Sequence, residues 1–167
     1  AICAAAAAIA MFVGVNPNAA PEVSPVAREA VRQQMRDIPL QRGADTGNWL
    51  RANFELDPAP SDNLLGTTLY PHGIYGHDGA KLVYRMNLEG REFDATVIAV
   101  RDIDEDELRD GQEVRIGDRT LHVSQASGET VVTYVDPRRH NAFVYLAPDI
   151  SPNELVWLAG SGLLPPH

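Results

Sequence analysis

The region from Leu64 to Leu146 alternates short apolar and β-branched segments with tight-turn signals, and this pattern constrains the fold most strongly. Segments of this kind, bounded by Gly, Asp or Pro, are typical of β-strands. Because only a few residues join most consecutive segments, neighbouring strands are expected to pair antiparallel. The predicted strands are Phe54–Leu56, Leu64–Tyr70, Lys81–Leu88, Glu92–Val100, Glu113–Ile116, Thr120–Ser124, Thr130–Val135 and Ala142–Leu146. The predicted turns are at His77–Gly79, Glu89–Arg91, Gly117–Asp118, Ser127–Gly128 and Asp136–Pro137.

A helix is predicted before these strands. Ser24 is a favourable N-cap residue and Pro25 suits the first helical position, so the helix is expected to begin there. Pro39 is predicted to end it, because proline removes a backbone donor and cannot continue a helix. Residues Arg42–Gly47 have a turn-like composition, which predicts a turn between this helix and the first strand.

A second helix is predicted after the strands. Ser151 is its expected N-cap, Pro152 lies in its first turn, and Glu154 is placed to complete a capping box. Gly160 is expected to end it. Short strands followed by one terminal helix predict an α+β fold with a mostly antiparallel sheet.

The composition limits the classes of function. The 167 residues are about one domain, and a hydrophobic content of 44 % is sufficient for a core. A net charge of −9 argues against nucleic-acid binding and against polybasic attraction to anionic lipid. Cys3 is the only cysteine, so the globular part is predicted to hold no disulfide and no cysteine-based zinc site.

The first residues, Ala1–Val15, carry no charged and no strongly polar side chain. A helix of this length reaches about 22 Å, which is shorter than the roughly 30 Å hydrocarbon core of a bilayer. The preferred interpretation is the end of a longer transmembrane helix, because Pro17 and a proline-rich linker follow the apolar run. Two other interpretations stay open: the remnant of a signal peptide, or an alanine-rich helix in the core.

A first candidate metal site is the loop that His72 and His77 flank, together with the neighbouring Asp78. Two imidazoles and a carboxylate are suitable metal ligands. A spacing of five residues suits neither adjacent helical turns nor one face of a strand. The preferred interpretation is therefore a glycine-rich hairpin connection.

A second candidate is the acidic run 102–113, which places carboxylates at several positions of a calcium-binding loop. Glu107, however, stands where that loop requires glycine for its sharp turn. The run is better explained as a short helix with Asp104 as its N-cap and Gly111 as its C-terminal stop.

Nucleophilic catalysis is considered because Ser124 and Ser127 lie close in sequence to His122. Proximity in sequence does not establish triad geometry, and no G-x-S-x-G motif is present. The segment Arg138–His140 is predicted to be a solvated turn, with an anion or partner contact as its alternative. We assign no catalytic, cofactor-binding or metal-binding residue, and we expect a protein that is not an enzyme.

Several short motifs occur in an order that resembles the extracytoplasmic domain of bacterial single-pass transmembrane anti-sigma factors. In that family a juxtamembrane helix precedes an aromatic residue, a proline-rich segment, an L-x-G-x-x-L segment, an A-x-L-V-Y strand and a terminal Glu-Leu helix. The corresponding segments here are Ala27–Met35, Asn48–Leu50, Phe54–Pro60, Leu64–Leu69, Gly79–Tyr84, Gly128–Tyr134, Ala142–Tyr145 and Ser151–Leu155.

The resemblance implies three regions: a partial transmembrane helix at 1–15, a linker and juxtamembrane helix at 16–47, and an extracytoplasmic α+β domain at 48–167. It also implies a non-enzymatic interaction or sensor domain, anchored in the inner membrane with its soluble part in the periplasm. Its expected partners are the membrane and other membrane or periplasmic proteins, with no nucleic acid and no small-molecule substrate. The alternative is a structural accessory subunit that docks on the periplasmic face of a larger membrane complex.

Overall fold

The computed structural model describes residues 24–35, 44–56, 63–108 and 111–166, and the structural statements below concern those residues. They form three α-helices, seven β-strands and a short 3₁₀ turn at Glu105–Glu107. The helices are α1 (Pro25–Met35), α2 (Ala44–Phe54) and α3 (Pro152–Gly160). The strands are β1 (Leu64–Ile74), β2 (His77–Leu88), β3 (Arg91–Val100), β4 (Gln112–Ile116), β5 (Arg119–Ala126), β6 (Glu129–Asp136) and β7 (Asn141–Leu146).

All seven strands belong to one sheet in the order β1-β2-β3-β7-β6-β5-β4, and every neighbouring pair is antiparallel. Two meanders, β1–β3 and β4–β7, therefore lie side by side. They meet where β3 pairs with β7, for example at Val97 opposite Tyr145. The prediction of a mostly antiparallel sheet accompanied by helices is confirmed.

Apolar side chains are buried on both faces of the sheet, because successive residues of a strand point to opposite faces. On one face, α2 and α3 pack against a cluster that includes Leu82, Val97 and Tyr145. On the other face, α1 packs with Ile98 and Val144, the sequence neighbours of two of these residues. Burial on both faces explains why the central strands are apolar almost throughout rather than strictly alternating.

The start of α1 agrees with its prediction. The backbone N–H of Ala27 donates to the hydroxyl of Ser24 at 3.1 Å, and helical residues begin at Pro25. The predicted end at Pro39 lies outside the described residues, as do Ala1–Val15 and the linker that follows them. Among the helices that the structure describes, none is both long enough and apolar enough to cross a bilayer.

The helix α2 corrects two predictions, because the turn expected at Arg42–Gly47 and the strand expected at Phe54–Leu56 both overlap it. Local composition was misleading here, and tertiary packing decides the conformation. Leu50 and Phe54 lie one helical turn apart and are both fully buried against the sheet. The boundary drawn from the sequence between residues 47 and 48 falls inside α2.

The β1–β2 turn also differs from its prediction, because it is formed by Tyr75 and Gly76 rather than by His77–Gly79. Both turn residues have positive φ, 53° and 89°, as a type I′ hairpin turn requires. Gly79 lies within β2, where a Cβ atom would be 2.5 Å from Cδ1 of Ile74. Gly79 is thus required by close packing and not by a turn.

The predictions for β4 to β7 are confirmed to within two residues at each end, and the turns at Glu89–Gly90, Gly117–Asp118 and Ser127–Gly128 are present. The capping box of α3 is also confirmed. The backbone N–H of Ser151 donates to Glu154 at 2.7 Å, and the backbone N–H of Glu154 donates to the Ser151 hydroxyl at 3.3 Å.

The stability that Glu154 contributes to the N-terminus of α3 depends on pH. Burial acts to raise the pKa of Glu154, but hydrogen bonds with Ser151 and the positive charge of Arg91 outweigh it and lower the pKa below 4.5. A lowered pKa in the folded state contributes stability that is present above the unfolded value and lost as the pH falls through the folded value.

We therefore expect Glu154→Gln to lower the free energy of unfolding at pH 7 by about 1 kcal/mol, the usual size of a capping interaction. The difference between wild type and variant is expected to shrink as the pH falls below 4.5. Denaturant titrations at pH 7 and pH 3 measure both quantities. Glu92→Gln, at an exposed strand position, is the matched control and is expected to have little effect. A difference that is equal at both pH values would contradict this role.

Candidate functional site

A cleft of about 560 Å³ lies where β5 begins and β6 ends. These two strand ends are neighbours because β5 and β6 pair antiparallel, with Leu121 opposite Tyr134. The β6–β7 turn forms one side of the cleft, and Pro166 of the C-terminal segment forms another. Residues from four parts of the chain therefore meet at one end of the sheet.

Arg119, the first residue of β5, lies between this cleft and the C-terminal segment. Its guanidinium donates to the carbonyl oxygen of Ala159 at 3.0 Å and to the carbonyl oxygen of Pro166. The same group lies 5.2 Å from the ring centroid of Tyr134, which is a cation–π distance. Arg119 thus ties the start of β5 to the end of α3 and to the segment that follows it.

Arg119 makes these contacts without a carboxylate partner. Within the described ranges it forms no ion pair, and its acceptors are backbone carbonyl oxygens. Burial and the negative charge of Asp136 raise the pKa of Tyr134, so the phenol beside the guanidinium stays neutral. The guanidinium of Arg119 is therefore held by two hydrogen bonds and by its contact with the Tyr134 ring. None of the described carboxylates neutralises its charge.

The β6–β7 turn presents two further arginines. The Asp136 carboxylate accepts a hydrogen bond from the backbone N–H of Arg138 at 2.9 Å and thereby shapes the turn. The Arg139 guanidinium lies 3.0 Å from a carboxylate oxygen of Glu55, the residue after α2, in an exposed ion pair. The side chain of Arg138 is exposed at the rim. The predicted turn at Arg138–His140 is confirmed, and its two arginines line the cleft.

The C-terminal segment, which reaches the cleft at Pro166, is also bound from the core side by Tyr145. The Tyr145 hydroxyl donates to the carbonyl oxygen of Pro165 at 2.7 Å, and burial raises the pKa of this phenol, so it remains a donor. Leu164 is fully buried in the core cluster between these anchors. The segment up to Pro166 is therefore a fixed wall of the cleft.

His122 lines the cleft and is only 7 % exposed. Its Nδ1 has no hydrogen-bond partner among the described residues. Ser124 is buried on the same face of β5, two residues further on, while Ser127 lies in the exposed β5–β6 turn. The structure therefore does not bring Ser127 to His122.

The histidines considered as metal ligands lie in the β1–β2 hairpin, on the other meander. Asp78 accepts from the backbone N–H of His72 at 2.8 Å, and its Oδ1 lies 3.4 Å from His72 Nδ1. His77 pairs with Ile74 beside the turn. The predicted hairpin connection is confirmed, with Asp78 closing it.

The acidic run contains the 3₁₀ turn, where the backbone N–H of Asp104 donates to Glu107 at 3.3 Å. This is the short helical turn that the sequence predicts, although Asp110 lies outside the described residues. Over the described part of the chain, no group of three or more His, Cys, Asp or Glu side chains is arranged to hold a metal ion.

Arg119 was not identified from the sequence. It follows an ordinary Gly-Asp turn, and nothing near it in the sequence distinguishes it from other surface arginines. Its position opposite the end of β6 depends on strand pairing and on the path of the C-terminal segment. Of the residues that line the cleft, the sequence had singled out Arg138 and Arg139 as a basic turn and His122 as a possible catalytic base.

No family model, curated protein or solved structure matches this chain.

Proposed function

We propose that this chain is a non-enzymatic interaction domain held at a membrane by Ala1–Val15, similar in role to the extracytoplasmic domain of anti-sigma factors. The observation that carries the proposal is the uncharged run itself, which stands in a chain of net charge −9. An anionic domain is repelled by anionic lipid, so its membrane contact has to be hydrophobic. Ala1–Val15 is the segment with that character.

The cleft supports a role in binding. The guanidinium of Arg119 is held within the fold by two backbone carbonyl oxygens. Groups that are already held in place lose little conformational freedom when a partner binds. This arrangement favours recognition of a partner at the cleft end of the sheet.

Fractionation of cells that express the full chain tests the membrane role. We expect the full chain to remain in the membrane pellet after an alkaline carbonate wash and to be released by detergent. A variant that lacks residues 1–15 is expected in the soluble fraction, because α1 and the sheet begin after that segment. Ala6→Asp is a matched point variant, because a helix of about 20 residues that ends at Val15 has its centre near this position, and one Asp at the centre of a membrane helix costs about 3 kcal/mol.

Two outcomes would overturn this proposal. One is a full chain that is monodisperse in aqueous buffer without detergent. The other is equal membrane retention of the full chain and the variant that lacks residues 1–15. Denaturant titration of all three proteins shows whether each domain is folded. Stable co-fractionation with a larger membrane complex, rather than with a sigma factor, would favour the accessory-subunit alternative.

A further inference from the structure

The cleft concentrates positive charge in an acidic protein. Three arginines and two aspartates line it, so its local balance is +1, whereas the whole chain carries −9. A concave site with an excess of one sign of charge attracts ligands of the opposite charge. The cleft therefore carries an excess of positive charge within a chain of negative net charge, and this excess favours an anionic ligand there.

The two aspartates do not neutralise the arginines equally. Asp136 is occupied by the backbone N–H of Arg138 and lies 4.0 Å from the guanidinium of Arg139. Arg139 has Glu55 as a second carboxylate partner. In contrast, neither Arg119 nor Arg138 forms an ion pair with any of the described carboxylates.

Arg119 and Arg138 therefore present two guanidinium groups whose charge is not compensated by described carboxylates, one held by backbone carbonyls and one at the rim. Arg138 suits carboxylate recognition because its planar fork can donate two parallel hydrogen bonds to one carboxylate. Both terminal nitrogens of Arg119 already donate to the carbonyl oxygens of Ala159 and Pro166, so Arg119 contributes mainly its positive charge. Thr120 adds a hydroxyl to the same lining. The donors in the cleft thus match a ligand that carries more than one carboxylate.

The size of the cleft decides between kinds of anion. A volume of about 560 Å³ is in the range of sites that enclose a drug-sized ligand or several peptide residues, and it is far larger than one phosphate requires.

We propose that the cleft binds an extended acidic peptide segment of a partner protein, with Arg119 and Arg138 contacting its carboxylates. This inference rests on the proposed function as an interaction domain, and it names the chemistry of the partner. Contacts of this kind are screened by salt, so binding weakens as the ionic strength rises.

The test uses the full chain in neutral detergent micelles, titrated with a blocked hexaglutamate peptide and followed by amide and arginine side-chain NMR signals. We expect saturable shifts at residues 118–122 and 134–140, and about tenfold weaker binding when salt rises from roughly 25 to 300 mM. Blocked hexaglutamine is the neutral control and is expected to cause no shifts.

Two variants make the assignment specific. Arg138→Gln is expected to weaken hexaglutamate binding about fivefold, the effect of removing one partly exposed charge contact. Arg32→Gln makes the same change in net charge on α1, where Arg32 is 69 % exposed and 3.6 Å from Glu29, and it is expected to leave binding unchanged. Arg119→Lys keeps the charge at the start of β5, so we expect it to weaken binding less than Arg138→Gln does.

Three results would overturn the inference: no saturable shift, equal weakening by Arg32→Gln and Arg138→Gln, or equally strong competition by inorganic phosphate. The last result would assign a site for small anions instead of a peptide site. Membrane retention of the chain does not depend on any of these outcomes. Failure of this inference is therefore distinguishable from failure of the membrane role.

Discussion

Arg119→Ala is expected to lower the free energy of unfolding by about 3 kcal/mol. The change removes two hydrogen bonds from a charged donor, each with a typical value of about 1.5–3 kcal/mol, and these values are reduced here by partial exposure. It also removes the contact with the Tyr134 ring, which adds about 0.5–1 kcal/mol at such sites. The carbonyl oxygens of Ala159 and Pro166 lose their donor at the same time.

The same change is expected to loosen the C-terminal segment more than the rest of the fold. Hydrogen exchange measured by mass spectrometry should show faster exchange at residues 159–166, with little change in β2 and β3. Arg115→Ala is the matched control, because Arg115 is an exposed arginine on the paired strand β4. A loss of less than about 0.5 kcal/mol, the range of ordinary surface substitutions, would contradict the anchoring role.

Tyr145→Phe tests the second contact that holds the C-terminal segment, the hydrogen bond to Pro165. Tyr145 holds Pro165 from the core side, so the two anchors act on adjacent residues. Substitutions in contact with one shared element are generally non-additive. We therefore expect the double variant with Arg119→Ala to be less destabilised than the sum of the two single variants.

Gly111→Ala is expected to lower the free energy of unfolding by at least about 3 kcal/mol, the level at which a clash and backbone strain combine. Gly111 has φ of 122°, a conformation that residues with a Cβ atom rarely adopt. The added Cβ would lie 2.4 Å from the carbonyl oxygen of Val123. That oxygen belongs to the backbone of β5, where Val123 pairs with Gln112, so it cannot move away without disturbing the β4–β5 ladder.

Gly117→Ala separates the cost of backbone strain at positive φ from the cost of the steric contact with Val123. Gly117 also has positive φ, 62°, but a Cβ atom added there would meet no described atom within 4 Å. The substitution is expected to cost about 1 kcal/mol, from the left-handed conformation alone. Denaturant titration of both variants makes the comparison, and equal effects would show that the contact with Val123 is unimportant.

Local sequence signals predicted the features that depend on a few adjacent residues. Ser151 and Glu154 form their capping box because both partners lie within one helical turn. The turns at Glu89–Gly90 and Ser127–Gly128 form where glycine supplies a positive φ. The same reasoning failed at His77–Gly79, because Gly79 lies within β2 and packs closely against the side chain of Ile74 on the opposite strand.

The candidate site was predictable only in part. Arg138 and Arg139 were visible as a basic turn between two strands, and the structure places both on the cleft. The third arginine, Arg119, joins them through the pairing of β5 with β6 and through contacts with residues 40 or more positions away. No pattern within a few residues encodes a contact over that distance.

Sequence patterns were sufficient to predict an antiparallel sheet followed by a capped terminal helix, and they show that the first fifteen residues are apolar. Three features follow from packing within the folded chain: α2 is a helix, β3 pairs with β7, and one end of the sheet carries a basic cleft. The difference arises from how far apart in the sequence the interacting residues lie. Caps and turns are stabilised by neighbours in sequence, whereas strand order and the burial of Leu50 and Phe54 are set by apolar surfaces that meet only in the folded chain.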